Sequence, residues 1–230
     1  MAQYFAISDP HGCLDVFEKA LSAVDYSDPD NRLFLLGDYI HHSVVPVPVE
    51  VFLEGSAEAL RFVKGYCEDH VGQVVALKGN HECDLLRSIR EDGWKLDASL
   101  VRWLESLPLY FETDTQIFVH AGIDEEAWDL WHVGTDDIMF CWKYPPTFGL
   151  FLKDVVAGHV GTHRLFGQWG SHDVFWDGES HYYIDGTTEH SDVLPVLIYD
   201  VEAGAYASRL ATPSGVGPAK PVLAHEAPRF

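Results

Sequence analysis

Short apolar runs of strand length recur through the first two thirds of the chain: YFAIS at 4–8, LFLL at 33–36, VVAL at 74–77, QIFV at 116–119 and VVA at 155–157. Between several of them, apolar residues fall at helical spacing, as at Leu14, Phe17, Leu21 and Val24, or at Leu60, Val63 and Cys67. Strands alternating with helices predict an α/β fold with largely parallel pairing. After residue 172 the pattern changes. DVFWDGESHYYIDGTTEHSDVLPVLIYDVEAGAYASRL reads as short strands joined by Gly and Asp turns, an antiparallel portion.

Two stretches break the pattern. VVPVPVEVF at 44–52 is apolar but carries Pro46 and Pro48, which argues against a regular helix or a central strand and predicts a loop packed on the core. From Thr212 the chain turns to Pro, Gly and Ala in TPSGVGPAKPVLAHEAPRF, expected as a poorly ordered or surface-draped tail. Residues 1–211 are thus expected as one domain and 212–230 as its tail.

With 230 residues and 47% hydrophobic content, the chain can bury one substantial core without disulfides. A formal net charge of −21 argues against phosphate backbones and anionic lipid as partners, so neither nucleic acid nor membrane is expected. Cys13, Cys67, Cys83 and Cys141 form no CxxC pair, which suits reduced thiols. No basic segment followed by an apolar core opens the chain, and no apolar run could span a bilayer, so a soluble cytoplasmic protein is expected.

The chemistry lies in what the five strands run into. YFAIS meets Asp9-Pro10-His11-Gly12, LFLL meets Gly37-Asp38, and VVAL meets Lys78-Gly79-Asn80-His81-Glu82. QIFV meets His120-Ala121-Gly122, and VVA meets Gly158-His159. Each places Asp, Asn or His beside a glycine or one residue from it, just past the carboxyl end of a strand, where α/β sheets assemble their sites. Mixed oxygen and imidazole donors suit Mn²⁺, Fe or Zn²⁺ better than Ca²⁺. Six donors are too many for one catalytic ion with an open position, but two ions about 3.5 to 4 Å apart, sharing one carboxylate, would use them all.

The series D-x-H-G, G-D, G-N-H-E, H-A-G and G-H, in this order, resembles the phosphoprotein phosphatase family of calcineurin-like metallophosphoesterases, particularly its small bacterial Ser/Thr phosphatase-like members. The resemblance runs from about Tyr4 to Tyr199. It implies a four-layer α/β/β/α sandwich of two mixed sheets flanked by helices, and two divalent ions, Mn²⁺ being the one expected to serve in vitro. Asp9 and His11 match ligands of the first metal, Asp38 the bridging carboxylate, and Asn80, His120 and His159 ligands of the second. His81, inside GNHE, matches the general acid that protonates the leaving oxygen. The implied reaction is phosphomonoester hydrolysis by direct attack of a metal-bridging hydroxide, on a phosphorylated protein or small molecule.

The sequence departs from the family where G-D-x-x-D-R-G is expected and GDYIHHS stands. His41 replaces the carboxylate that would orient His81, and His42 replaces an arginine that would grip phosphate with a planar, permanently charged fork. MFCWKYPP sets Lys143 near a second phosphate-binding position, and Arg164 in GHVGTHR is a candidate surrogate. Glu189 or Asp192 are candidates to restore the partner lost at position 41. Without that carboxylate the His81 imidazolium is less favoured, which penalises poor leaving groups most. The diadenosine tetraphosphatase branch of the family also lacks it, so a nucleotide polyphosphate hydrolase is the first alternative to a Ser/Thr protein phosphatase. A catalytically weakened metal-binding interaction module is the second.

Overall fold

The apolar runs become strands because each can bury both of its faces, one against helices and one against a second sheet. In the computed structural model, which describes residues 2–41 and 47–228, the chain runs through β1 (Gln3–Ile7), α1 (Leu14–Leu21), β2 (Arg32–Leu35), α2 (Val49–Asp69) and β3 (Val74–Ala76). It continues through α3 (Asn80–Glu91), α4 (Ala98–Ser106), β4 (Tyr110–Glu112) and β5 (Gln116–Val119). After a 3₁₀ turn come α5 (Trp131–Gly134), α6 (Asp137–Trp142), β6 (Asp154–Ala157), α7 (Thr162–Leu165), β7 (Phe175–Trp176) and β8 (His181–Tyr183). The last elements are α8 (Thr188–Ser191), β9 (Leu194–Asp200), β10 (Ala205–Thr212), β11 (Gly215–Val216) and β12 (Lys220–Pro221).

Among the described residues, seven strands form one sheet, in the order β11-β10-β9-β1-β2-β3 with β12 also on β10, and five form the other, β4-β5-β6-β8-β7. The expected parallel portion is β1-β2-β3 in the first sheet and β5-β6 in the second. The expected antiparallel portion is β1-β9-β10 and β7-β8, but β8 itself lies parallel to β6.

Strand alternation divides the core into three layers of apolar contact. Phe5, Ile7, Leu33 and Leu35 face α1 to α4, burying Phe17, Leu60 and Val63. Ala6, Phe34, Leu36, Phe118 and Val156 fill the space between the sheets, where the Phe34 and Phe118 rings stack with centroids 3.8 Å apart. Ile117, Val119, Val155 and Ala157 face α5 to α7. Burial of each large side chain contributes about 1.5–3 kcal/mol. The result is the expected α/β/β/α sandwich, its sheets also joined by the Tyr206 hydroxyl, which donates to Asp154 Oδ2 at 2.7 Å.

The loop expected at 44–52 is corrected in part. The α2 helix begins at Val49 with Pro48 just ahead of it, where a fixed φ and a missing N–H do no harm to the helix; residues 44–46 lie outside the described residues. After Thr212 the chain follows β10 through β11 and β12, and the His225 N–H donates to the Trp176 carbonyl at 2.8 Å. Among the described residues no helix is long and apolar enough to cross a membrane.

Candidate metal centre

The carboxyl ends of β1, β2, β3, β5 and β6 converge, and the six expected ligands meet there. Four of them, Asp9 (φ 56°), His11 (φ 44°), Asp38 (φ 55°) and His159 (φ 62°), hold left-handed backbone conformations. Such conformations cost of order 1–3 kcal/mol each for residues with a side chain and cluster at functional sites. They turn the side chains inward directly off the strand ends.

The tautomers follow from the backbone. His120 Nδ1 lies 2.8 Å from the Leu36 carbonyl and His11 Nδ1 3.3 Å from the Ile40 carbonyl. A carbonyl can only accept, so each Nδ1 carries the proton and each Nε2 turns a lone pair inward. His120 Nε2 meets Asn80 Oδ1 at 2.8 Å and Asp38 Oδ1 at 3.5 Å. His159 Nδ1 lies 3.0 Å from the same Asn80 Oδ1. His11 Nε2 faces Asp9 Oδ1 at 3.8 Å and Asp38 Oδ2 at 3.9 Å. Asp9 Oδ2 is occupied by the Ser8 hydroxyl and the His159 N–H, while its Oδ1 is buried with no hydrogen-bond partner. Lone pairs facing lone pairs, and an orphaned buried carboxylate oxygen, are what a cation site presents.

The donors fall into two groups that share Asp38. Asp38, His120 and His159 offer atoms within 4.8 Å of one another, and so do His11, Asp38 and His81. Of the expected first-metal pair, His11 belongs to the second of these groups, and Asp9 Oδ1 lies 3.8 Å from its Nε2. His81 Nε2 stands 3.6 Å from Asp38 Oδ2, its ring edge-on to His11. It thus faces the Asp38 carboxylate from the cavity side, while its backbone N–H holds Asp38 Oδ1 at 3.0 Å.

The electrostatics also call for positive charge. Burial pushes the Asp9 and Asp38 carboxyls well above their ordinary range, reinforced by Asp185 for Asp9 and by Asp9 and Glu82 for Asp38. Burial lifts Asp185 to about 6. Burial also holds His120 well below the usual imidazole value and His159 down at about 4, keeping both neutral as metal ligation requires.

A buried clamp that GNHE did not announce positions Asp38. Glu82 Oε2 accepts the N–H of Asp38 at 2.8 Å and of Gly79 at 2.9 Å, and Oε1 accepts the N–H of Tyr39 at 2.9 Å. The turn after β2 is thereby fastened to the first turn of α3. A Cβ on Gly79 would collide with the Asp38 backbone nitrogen and Oδ1, and one on Gly158 with Ser8 and Asp9, so these strand ends admit only glycine at such close approach.

A cavity of about 340 Å³ opens over the centre. Besides Asp9, His11, Asp38, Asn80, His159 and His81 it is walled by His163, Arg164, Trp169, Asp185, Thr187, Glu189 and His190. Arg164, the candidate surrogate, lies on this wall. Lys143 does not: its ammonium is engaged by the Glu125 carboxylate and the Ile123 carbonyl, away from the cavity wall. The His41 ring lies over Gly12 and beside Gly55 of α2, not on the cavity wall. His42 lies outside the described residues. Glu189 does reach the wall, but its Oε1 stands 3.3 Å from His190 Nε2; Asp192 caps α8 outside it. His181, also without an expected role, is held between Asp177 and Glu125, which raise it above the usual imidazole value against the effect of burial.

Comparison with known proteins agrees with this geometry. Residues 3–186 match the family model of the calcineurin-like phosphoesterases. Over 143 residues the chain is 32% identical to a symmetrical bis(5'-nucleosyl)-tetraphosphatase of Vibrio parahaemolyticus, covering 56% of this chain and 47% of that protein. A protein of the same name from Glaesserella parasuis is 30% identical over 145 residues, with the same coverage of 56% and 47%. The chain therefore spans about half the length of the curated relatives it matches. Among solved structures, a cold-active protein-tyrosine phosphatase of a psychrophilic Shewanella superposes with a TM-score of 0.60 at 16% identity, covering 96% of this chain and 80% of that one, a likeness of fold. With a family match over most of its length and the family's donors gathered at one sheet edge, the chain belongs to the calcineurin-like phosphoesterases.

Proposed function

We propose that this chain is a divalent-metal-dependent hydrolase of phosphate anhydrides in nucleotide polyphosphates of the bis(5'-nucleosyl) tetraphosphate kind. The observation that carries the reading is the pair of cation-ready donor groups sharing Asp38 on the floor of a cavity whose wall includes Arg164. The tetraphosphatase names of the relatives at 30 and 32% identity support the anhydride over the phosphoprotein. The expectation of Ser/Thr protein substrates, which rested on the family pattern alone, gives way to it.

Asp9 and His11 would hold one ion, Asn80, His120 and His159 the other, and Asp38 both. Mn²⁺, Fe or Zn²⁺ fit this mixed donor set. When bound, such a pair supplies Lewis acidity that lowers the pKa of water and neutralises phosphoryl oxygens. The protein's own groups do the rest. Arg164 pairs with a phosphate oxygen at the cavity wall, supplying a permanent charge where the family arginine is absent. His81 holds a proton for the departing oxygen.

Anhydride chemistry suits the altered partner of His81. A departing nucleoside diphosphate is a stabilised anion that needs little protonation, whereas a serine alkoxide must be protonated as it leaves. One water then yields two nucleoside diphosphates from a symmetrical tetraphosphate, its hydroxyl joining phosphorus and its proton remaining with the products.

The test is a comparison of Mn²⁺-dependent initial rates on diadenosine tetraphosphate, a phosphoserine peptide and p-nitrophenyl phosphate, with Asp38→Asn as blank. The expected kcat/KM for the dinucleotide exceeds that for the peptide by at least about tenfold, a difference of 1.4 kcal/mol in transition-state stabilisation. Peptide turnover equal to or above that on the dinucleotide would sink the anhydride reading.

A further inference from the structure

The side of the cavity formed by α7 and the loop behind it carries groups that the metal chemistry does not use, and they are held in place. His163 Nδ1 lies 2.9 Å from the Thr187 hydroxyl. The Thr187 backbone is left-handed at φ 55° and its N–H is tied to Asp185 Oδ1 at 2.6 Å. A Cβ on Gly161 would strike both the Thr187 hydroxyl and the His163 ring, so the imidazole fits only because that position is glycine. The loop then doubles back: the Gln168 N–H donates to the His163 carbonyl at 3.0 Å, and Gly167, at φ 63°, makes the turn. Trp169 is thereby brought against His163, ring centroids 4.4 Å apart at 68°, and lines the cavity mouth while 67% exposed.

An indole held open at the mouth of a cavity offers an aromatic face to whatever enters it. Its neighbour in the same short segment, Arg164, is the permanent cation among the described residues lining the cavity. A guanidinium for phosphate and an exposed aromatic face about one turn of chain further out match the two ends of a nucleoside phosphate. The need for such a contact is also electrostatic. The chain carries −21 and the cavity is lined by Asp9, Asp38, Asp185 and Glu189, so a polyanionic substrate gains little from the general field. Stacking on a base supplies affinity that does not depend on charge.

We propose that Trp169 is the platform on which the nucleobase of the substrate stacks, and that His163, locked by Thr187 and Gly161, is the residue that positions it. The inference rests on the nucleotide reading of the site and adds to it the residue that selects nucleotides over other phosphate esters. The base stacks beside the imidazole at the mouth, its phosphate chain passes Arg164, and the scissile anhydride lies over Asp38.

The experiment is calorimetric titration of the wild-type protein and Trp169→Ala with adenosine 5'-monophosphate and with ribose 5-phosphate, which differ only in the base. The wild type is expected to bind the nucleotide about tenfold more tightly, and Trp169→Ala to lose that preference, with Trp169→Phe retaining most of it. Steady-state kinetics on diadenosine tetraphosphate provide the second readout: Trp169→Ala raises KM at least about fivefold more than it raises KM for p-nitrophenyl phosphate. Equal binding of the two ligands by the wild type, or a preference that survives in Trp169→Ala, overturns the platform. Absence of tetraphosphate hydrolysis with the base preference intact would instead overturn the reaction assignment and leave the platform standing.

Discussion

The floor and the wall of the cavity are built by different means. The floor, Asp9, His11, Asp38, Asn80, His120 and His159, comes from residues at or just past strand ends, buried or nearly so and several in left-handed backbone, with His11 and His120 fixed by backbone carbonyls and Asp9 and Asp38 by backbone N–H groups. The wall, Arg164, Trp169, Thr187 and Glu189, comes from the four-residue helices α7 and α8 and the loop between α7 and β7. A floor atom has almost no freedom to move without breaking a sheet, whereas a wall side chain can change with little consequence for the fold. Under the proposed function the first would set the reaction type and the second the choice of substrate.

The sharpest break of that division is Asp38→Asn. It removes the oxygen charge shared by both donor groups and is expected to lower kcat/KM by more than about 100-fold, beyond what loss of an outer partner of a metal ligand costs, with the circular dichroism spectrum unchanged. Retained activity would remove Asp38 from the centre. Next comes Gly79→Ala, whose new methyl meets the backbone and carboxylate of Asp38. It should destabilise the fold by about 1–3 kcal/mol in urea denaturation and abolish tight metal binding; wild-type values for both would show that the strand end relaxes.

A third measurement separates floor from wall by pH. In the metal-free protein burial raises Asp9 and Asp38 and lifts Asp185 to about 6. These groups therefore weaken the native state as pH rises from the ordinary carboxylate range through their folded values. A divalent ion binds the ionised form, and His159 is already neutral above about 4. The gain in Tm on adding Mn²⁺ is accordingly expected to grow between about pH 5 and about pH 8. A gain independent of pH would show that Asp9 and Asp38 do not hold the ion.

On the wall, Arg164→Lys should raise KM for the dinucleotide about fivefold and leave the Mn²⁺-induced Tm gain unaltered, since a point charge replaces a fork. A changed Tm gain would place Arg164 on the floor.

The same division explains what could be read from the chain. Each floor residue stands within three positions of a glycine after an apolar run, a pattern that strand geometry imposes and sequence displays. The wall gives no such sign, because Trp169 reaches the cavity through a turn at Gly167 and the hydrogen bond from the Gln168 N–H to the His163 carbonyl, which no periodicity reports. Glu82 stood in view inside GNHE, yet its role as a clamp depends on the N–H groups of Asp38 and Tyr39, more than forty residues away. Lys143 was misplaced because local spacing cannot tell that Glu125, 18 residues earlier, captures its charge. The start of α2 was missed because Pro46 and Pro48 were read as breaking the whole stretch, when Pro48 stands just outside a helix.

Asn80 follows a strand of the first sheet, and its one carbonyl oxygen meets His120 and His159, which follow strands of the second. The surfaces between the sheets are otherwise largely apolar, and greasy layers have no strong preference among neighbouring alignments. The polar cluster at the sheet edge does have one, because its contacts are directional. It acts as a locating pin, fixing how far one layer can slide over the other. Any remodelling of this sandwich that shifts its layers by a fraction of a residue would dismantle the reaction centre with the same motion.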